Sequence, residues 1–143
     1  MKGKRGVMMK IIKKVLDVTT TKDEQMINIT EMVRDTLKET AIKNGTLYLF
    51  VPHTTSAVTI NENTDPSVKK DMLYSLKQSF PIEKEFLHFE GNSHAHIKSS
   101  VIGNDQIVLI EKNELVLGQW QALYFCEFDG PRHRRLNLQF VGE

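Results

Sequence analysis

The five histidines of this chain fall into three short polar clusters, and each cluster has its own chemistry. The first is His53-Thr54-Thr55-Ser56, with Asn61-Glu62-Asn63 a few residues on. The second runs from His88 through Gly91-Asn92-Ser93-His94-Ala95-His96. The third is Glu127-Phe128-Asp129-Gly130-Pro131-Arg132-His133-Arg134. A neutral imidazole ligates a metal or moves a proton near neutral pH. Hydroxyls with neighbouring backbone N–H groups suit an anion. A guanidinium clamps a phosphate or carboxylate through two parallel N–H groups. Such groups are costly to bury without partners. Polar clusters at the ends of apolar runs therefore point to one site assembled from several loops. The plainer alternative is three unrelated turns.

The candidate catalytic groups are His53, Glu62, Glu127 and Arg132. The candidate anion ligands are Thr54, Thr55, Ser56, Asn92 and Arg132, and the candidate metal ligands are His53, His88 and His96. Each has a structural reading beside the chemical one. His53 can bond to a nearby carbonyl while Thr54-Thr55-Ser56 simply begins a strand. Arg132 can pair with Asp129, and Arg134 and Arg135 are expected to solvate a strand face. Glu62 and Glu127 are acids or orienting partners for an imidazole. His94 and His96 share a side on a strand but lie about 200° apart on a helix, so a helix lets only one of them serve. The histidine spacing matches no zinc-finger or zincin pattern.

Several elements must carry these groups. Residues 9–21 read as a strand, β-branched and aliphatic residues mixed with lysines. A helix follows, capped by Asn28 or Thr30, with Val33, Leu37 and Ala41 on one stripe and Gly45 as its stop. Residues 46–52 and 56–60 read as strands. Asp65 caps a second helix with Pro66 in its first turn, and Val68, Met72, Leu76 and Phe80 give it an inward face. Residues 81–93 are irregular, and residues 94–101 form a short helix. Residues 106–111 form a strand, 112–114 a hairpin turn and 115–117 the return. Residues 119–128 alternate: Trp120, Ala122, Tyr124, Cys126 and Phe128 face one way, Leu123, Phe125 and Glu127 the other. Both faces carry apolar residues, so this strand is central. After the Asp129-Gly130-Pro131 turn, residues 135–141 return as the last strand. The order is not a regular βαβ alternation. It predicts an α+β fold: one small domain, a largely antiparallel sheet packed with two main helices.

Composition sets the outer limits. A chain of 143 residues with 26% charged residues and a net charge of +1 fits one ordinary globular domain over residues 1–143. Residues 1–8 read as a flexible basic terminus. Nothing global calls for nucleic acid, and no segment approaches the roughly 20 apolar residues of a membrane span. No signal peptide is evident. The single cysteine, Cys126, excludes an intrachain disulfide and fits a reducing cytoplasm.

Three segments resemble the YjbQ-like family: His53-Thr54-Thr55-Ser56-Ala57 with Asn61-Glu62-Asn63; Asn92 through Ser100; and Leu115-Val116-Leu117-Gly118-Gln119-Trp120-Gln121 followed by Glu127 through Arg132. They occur in the family's order. One departure is Gln119, where the family usually has threonine. The resemblance implies a small α+β domain assembling as a homotrimer. It also implies a weak thiamine-phosphate synthase activity, joining a pyrimidine diphosphate to a thiazole phosphate with release of pyrophosphate. Three functions follow as expectations. The first is that transferase, acting on phosphorylated small molecules with a divalent metal, magnesium or zinc. The second is a metal-dependent hydrolase built on the histidines. The third is a non-catalytic anion-binding trimer.

Overall fold

Strand parity accounts for most of the architecture. The computed structural model describes residues 6–143; of the expected basic terminus, residues 1–5 lie outside the described residues. The elements in chain order are β1 (Lys10–Thr19), β2 (Gln25–Asn28), α1 (Thr30–Thr40), β3 (Gly45–Phe50), β4 (Ser56–Glu62), α2 (Pro66–Ser79), α3 (Ser93–Ile102), β5 (Asp105–Glu111), β6 (Glu114–Leu115), β7 (Gln121–Glu127) and β8 (His133–Gly142). The fold is α+β. The strands form two antiparallel sheets, β1-β8-β3-β5-β6 and β2-β7-β4. The anticipated single sheet is thus divided, and β2, four residues long, has too little periodic pattern to be read from sequence.

The layers follow from β7. Leu123 and Phe125 point to the main core, with Leu47 and Leu49 of β3, Leu136, Leu138 and Phe140 of β8, and Val33 and Leu37 of α1. Ala122, Tyr124 and Cys126 point the other way, where Met72, Leu73 and Leu76 of α2 and Ala95 of α3 cover them. Each large apolar side chain so buried contributes about 1.5–3 kcal/mol. The thiol of Cys126 is sealed in, and burial pushes its pKa up to about 12, so it stays protonated and inert.

Helix ends need two amendments. Ala41, at φ 57°, closes α1, whereas Gly45 already begins β3. A Cβ on Gly45 would lie 2.0 Å from the Val141 carbonyl oxygen, so glycine serves a close strand crossing there. Asp65 caps α2 as anticipated, its carboxylate accepting from the Ser67 N–H at 2.9 Å. Beside the two main helices, the short helix expected over residues 94–101 is present as α3. Among the described residues no helix is long and apolar enough to cross a membrane.

Candidate functional site

One end of the two sheets brings the three polar clusters together. The chain leaves β3 through Pro52 and His53 and enters β4 at Ser56. Beside that entry lie the end of β7 at Glu127, the start of β8 and the N-terminus of α3 at Asn92. A polar pocket of about 340 Å³ opens there. Its inner wall is His53, Thr55, Asn92 and Arg134; Thr54, Glu90, His96 and Arg132 form the rim.

The floor of the pocket is a buried ion pair. Glu127 is 0% exposed and Arg134 4%. Arg134 donates Nε to Glu127 Oε1 at 2.8 Å and Nη2 to Glu127 Oε2. The same Nη2 donates to Thr55 Oγ1 at 2.8 Å. The Thr20 hydroxyl and the Asp129 backbone N–H fill the remaining sites on the carboxylate, at 2.8 and 2.9 Å. Burial works to raise the Glu127 pKa, but the bonds from Arg134, the Asp129 N–H and Thr20 hold it below the ordinary value. Removing either partner of such a pair costs about 3–5 kcal/mol, because an uncompensated charge is left behind. Glu127 is therefore no free base. Arg134 Nη1 makes no hydrogen bond to a described residue, and it belongs to a side chain lining the pocket.

Arg132 and Asp129 form the second tier. Arg132 donates Nε to the Asp129 carbonyl at 2.7 Å and Nη2 to Asp129 Oδ2 at 2.9 Å. Asn92 Nδ2 donates to the same oxygen at 2.8 Å. Burial alone would raise the Asp129 pKa; the bonds from Asn92 and Arg132 lower it. The ion-pair reading of Arg132 is present, and it leaves Nη1 and one N–H of Nη2 for a ligand. Gly130 lets the turn lie against the β1–β2 connection, since a Cβ there would meet the Lys22 carbonyl at 2.3 Å.

His53 takes an unexpected part. Its Nε2 accepts the Arg135 backbone N–H at 2.9 Å, standing in for the carbonyl that β3 no longer supplies to β8. The proton of the neutral ring therefore sits on Nδ1. Burial first, and then the Arg134 charge, lower the pKa of His53. It is a fixed hydrogen-bond donor, not a base.

The remaining candidates divide. Thr54, Thr55 and Asn92 line the pocket. Ser56 does not: it is wholly buried, with its carbonyl accepting from Ser99 Oγ at 2.6 Å. Glu62 sits at the opposite end of β4, about 20 Å away at 3.3 Å per residue, where it accepts the Thr64 N–H. The expected metal set His53, His88 and His96 is not assembled. Among the described residues no three His, Cys, Asp or Glu side chains group closely enough to hold a metal ion. His53 has spent its lone pair on Arg135, and His88 meets His96 edge to face, with ring centroids 5.4 Å apart. Magnesium or zinc does not fit these donors. α3 resolves the histidine pair: His96 reaches the pocket, whereas His94 lines a separate cavity with Lys98 and Glu24.

Two site residues escape the sequence reading. Arg134, expected in solvent, is buried. Counting back by twos from Phe140 through Leu138 and Leu136 puts it on the core face, and that parity was the available signal. Glu90 lies in an irregular segment with no periodicity to mark it.

The family model described as UPF0047 protein YjbQ-like matches residues 14–143. The UPF0047 protein YugU of Bacillus subtilis is 49% identical over 130 residues, 90% of this chain and 98% of that protein. A UPF0047 protein of Methanocaldococcus jannaschii is 43% identical over 126 residues, 88% of this chain and 91% of that one. The solved structure of a YbjQ-like protein of unknown function from Sulfolobus solfataricus superposes with a TM-score of 0.90 at 29% identity, covering 95% of this chain and 100% of that one. An uncharacterized YjbQ/UPF0047 protein from Clostridium acetobutylicum gives 0.86 at 44% identity, covering 89% and 98%. These relatives overturn one expectation. The two sequence relatives carry UPF0047 names, the two solved structures are described as uncharacterized or of unknown function, and none is described as a thiamine-phosphate synthase. The transferase reading is withdrawn.

Proposed function

The chain belongs to the UPF0047 YjbQ-like protein family, and from that premise we propose that its polar pocket binds the phosphate group of a small molecule, with His96 placed to move a proton on it. One observation carries this reading. Arg134 is buried and charge-compensated by Glu127, yet its Nη1 remains unclaimed on the pocket wall. That Nη1 is accessible, so an anionic oxygen in the pocket can accept from it without any hydrogen bond to a described residue being broken. The His53 Nδ1–H and Arg132 Nη1 add two more donors, and the N-terminus of α3 presents free backbone N–H groups beside Asn92. His96 stands on the facing rim against His88, which in turn lies 3.4 Å from Glu90. That order suits an imidazole acting as acid or base.

Calorimetric titration with ethyl phosphate tests the reading. Saturable binding with a Kd of about 1 mM or tighter is expected. His53→Gln keeps an acceptor for the Arg135 N–H and removes the Nδ1–H donor, so it should weaken binding about tenfold, the usual scale for a hydrogen bond to a charged group. Arg132→Gln should do the same. Absence of saturable binding, or binding indifferent to both substitutions, would sink the proposal.

The same reading includes self-association as a homo-oligomer, a trimer by family resemblance. What supports it is the outer face of the five-stranded sheet, where Ile11, Val15, Tyr48, Phe50, Ile107 and Leu109 are exposed. Tyr48 and Ile107 are direct neighbours across β3 and β5, and exposed apolar surface of this kind marks an interaction site.

A further inference from the structure

We propose that the phosphorylated ligand also carries a primary ammonium group, held by Glu90 and Asn92; this rests on the phosphate reading above. The pocket wall is two-sided. Its donors are Arg134 Nη1, Arg132 Nη1 and the His53 Nδ1–H, all suited to phosphate oxygens. Its acceptors have nothing to accept from a phosphate. Asn92 is 8% exposed and gives its Nδ2 to Asp129, leaving Oδ1 buried without a partner among the described residues. Glu90 lines the rim, with His88 at 3.4 Å as its one ion-pair neighbour among the described residues.

Charge leads to the same conclusion. Arg134 is matched by Glu127 and Arg132 by Asp129, both through direct ion pairs. Among the residues lining the pocket, Glu90 is the carboxylate that no guanidinium pairs with. A bare phosphate thus meets the donors but leaves the Glu90 carboxylate and the Asn92 Oδ1 without a partner, and its charge is repelled by Glu90 at close range. A ligand anionic at one end and cationic at the other fits both halves. An ammonium has three N–H donors and no acceptor, which suits the Asn92 Oδ1 and the Glu90 carboxylate together.

The test is calorimetric titration of the full chain with two matched probes, ethyl phosphate and O-phosphoethanolamine, which differ by the ammonium group. O-phosphoethanolamine should bind about tenfold more tightly, the scale of one charge-assisted hydrogen bond. In Glu90→Gln, a substitution at a half-exposed rim position, that advantage should fall below about threefold, within the range of a surface charge pair, while ethyl phosphate binds more tightly than before. Equal affinities for the two probes in the unsubstituted protein would overturn the ammonium proposal and leave the phosphate reading standing. So would an advantage that survives Glu90→Gln. If neither probe binds, both fail.

Discussion

His53 shows how a side chain of ambiguous chemistry becomes definite. An isolated histidine is base, ligand or donor with equal ease. Here the Arg135 N–H occupies Nε2, and burial together with the Arg134 charge favours the neutral ring. The consequence for stability has a fixed sign. The folded pKa lies below the ordinary 6.5, so between the two values the unfolded chain binds more protons. Stability due to His53 is complete above the unfolded pKa and is lost as pH falls from there toward the folded pKa. Urea denaturation between pH 7.5 and 5.5 should show a decline that is shallower in His53→Gln. An equally steep decline in the variant would remove this account. Glu127 and Asp129 act in the same direction but at lower pH, because their folded values lie below the ordinary carboxylate range.

At the scale of elements, the helices differ in how firmly they are held. α1 buries Val33 and Leu37 in the main core. α2 has fourteen residues and none of them is fully buried; Met72, Leu73 and Leu76 only lean on the second core. Its anticipated stripe exists, but it rests on the outermost layer. Few buried contacts mean low local stability. Amide hydrogen exchange should therefore be at least about tenfold faster through α2 than through the middle of α1. Equal protection would show α2 to be covered by something more than this chain's own core. Reading the elements from sequence worked where a period was sustained, as in β7 and α1. It failed at β2, too short for a period, and at Arg134, where charge was weighed above strand parity.

For the whole molecule, the decisive feature is that the two sheets use their surfaces differently. The β2-β7-β4 sheet is covered on both sides, by the main core and by α2 and α3. The five-stranded sheet is covered on one side only. Phe50 is 50% exposed and Ile107 56% on its open face. Light scattering should give the mass of more than one chain, three if the resemblance holds. Phe50→Glu combined with Ile107→Lys should reduce it to one without loss of the far-ultraviolet circular dichroism. A single-chain mass for the unsubstituted protein would refute the association.

The amino-acid order by itself determined the α+β class, the inward and outward faces of β7, the Asp65 cap and the presence of three polar clusters. These are local: period, propensity and capping act over a few residues. Only the tertiary structure decided which clustered groups share a pocket. It joined His53, Asn92, His96, Arg132 and Arg134, sent Glu62 to the far end of β4 and sealed Ser56 in the core. It also placed the His53 proton, because the N–H that sets it belongs to a residue 82 positions away. Convergence of this kind depends on strand register and on which charges find partners, and neither is encoded within a short stretch of chain.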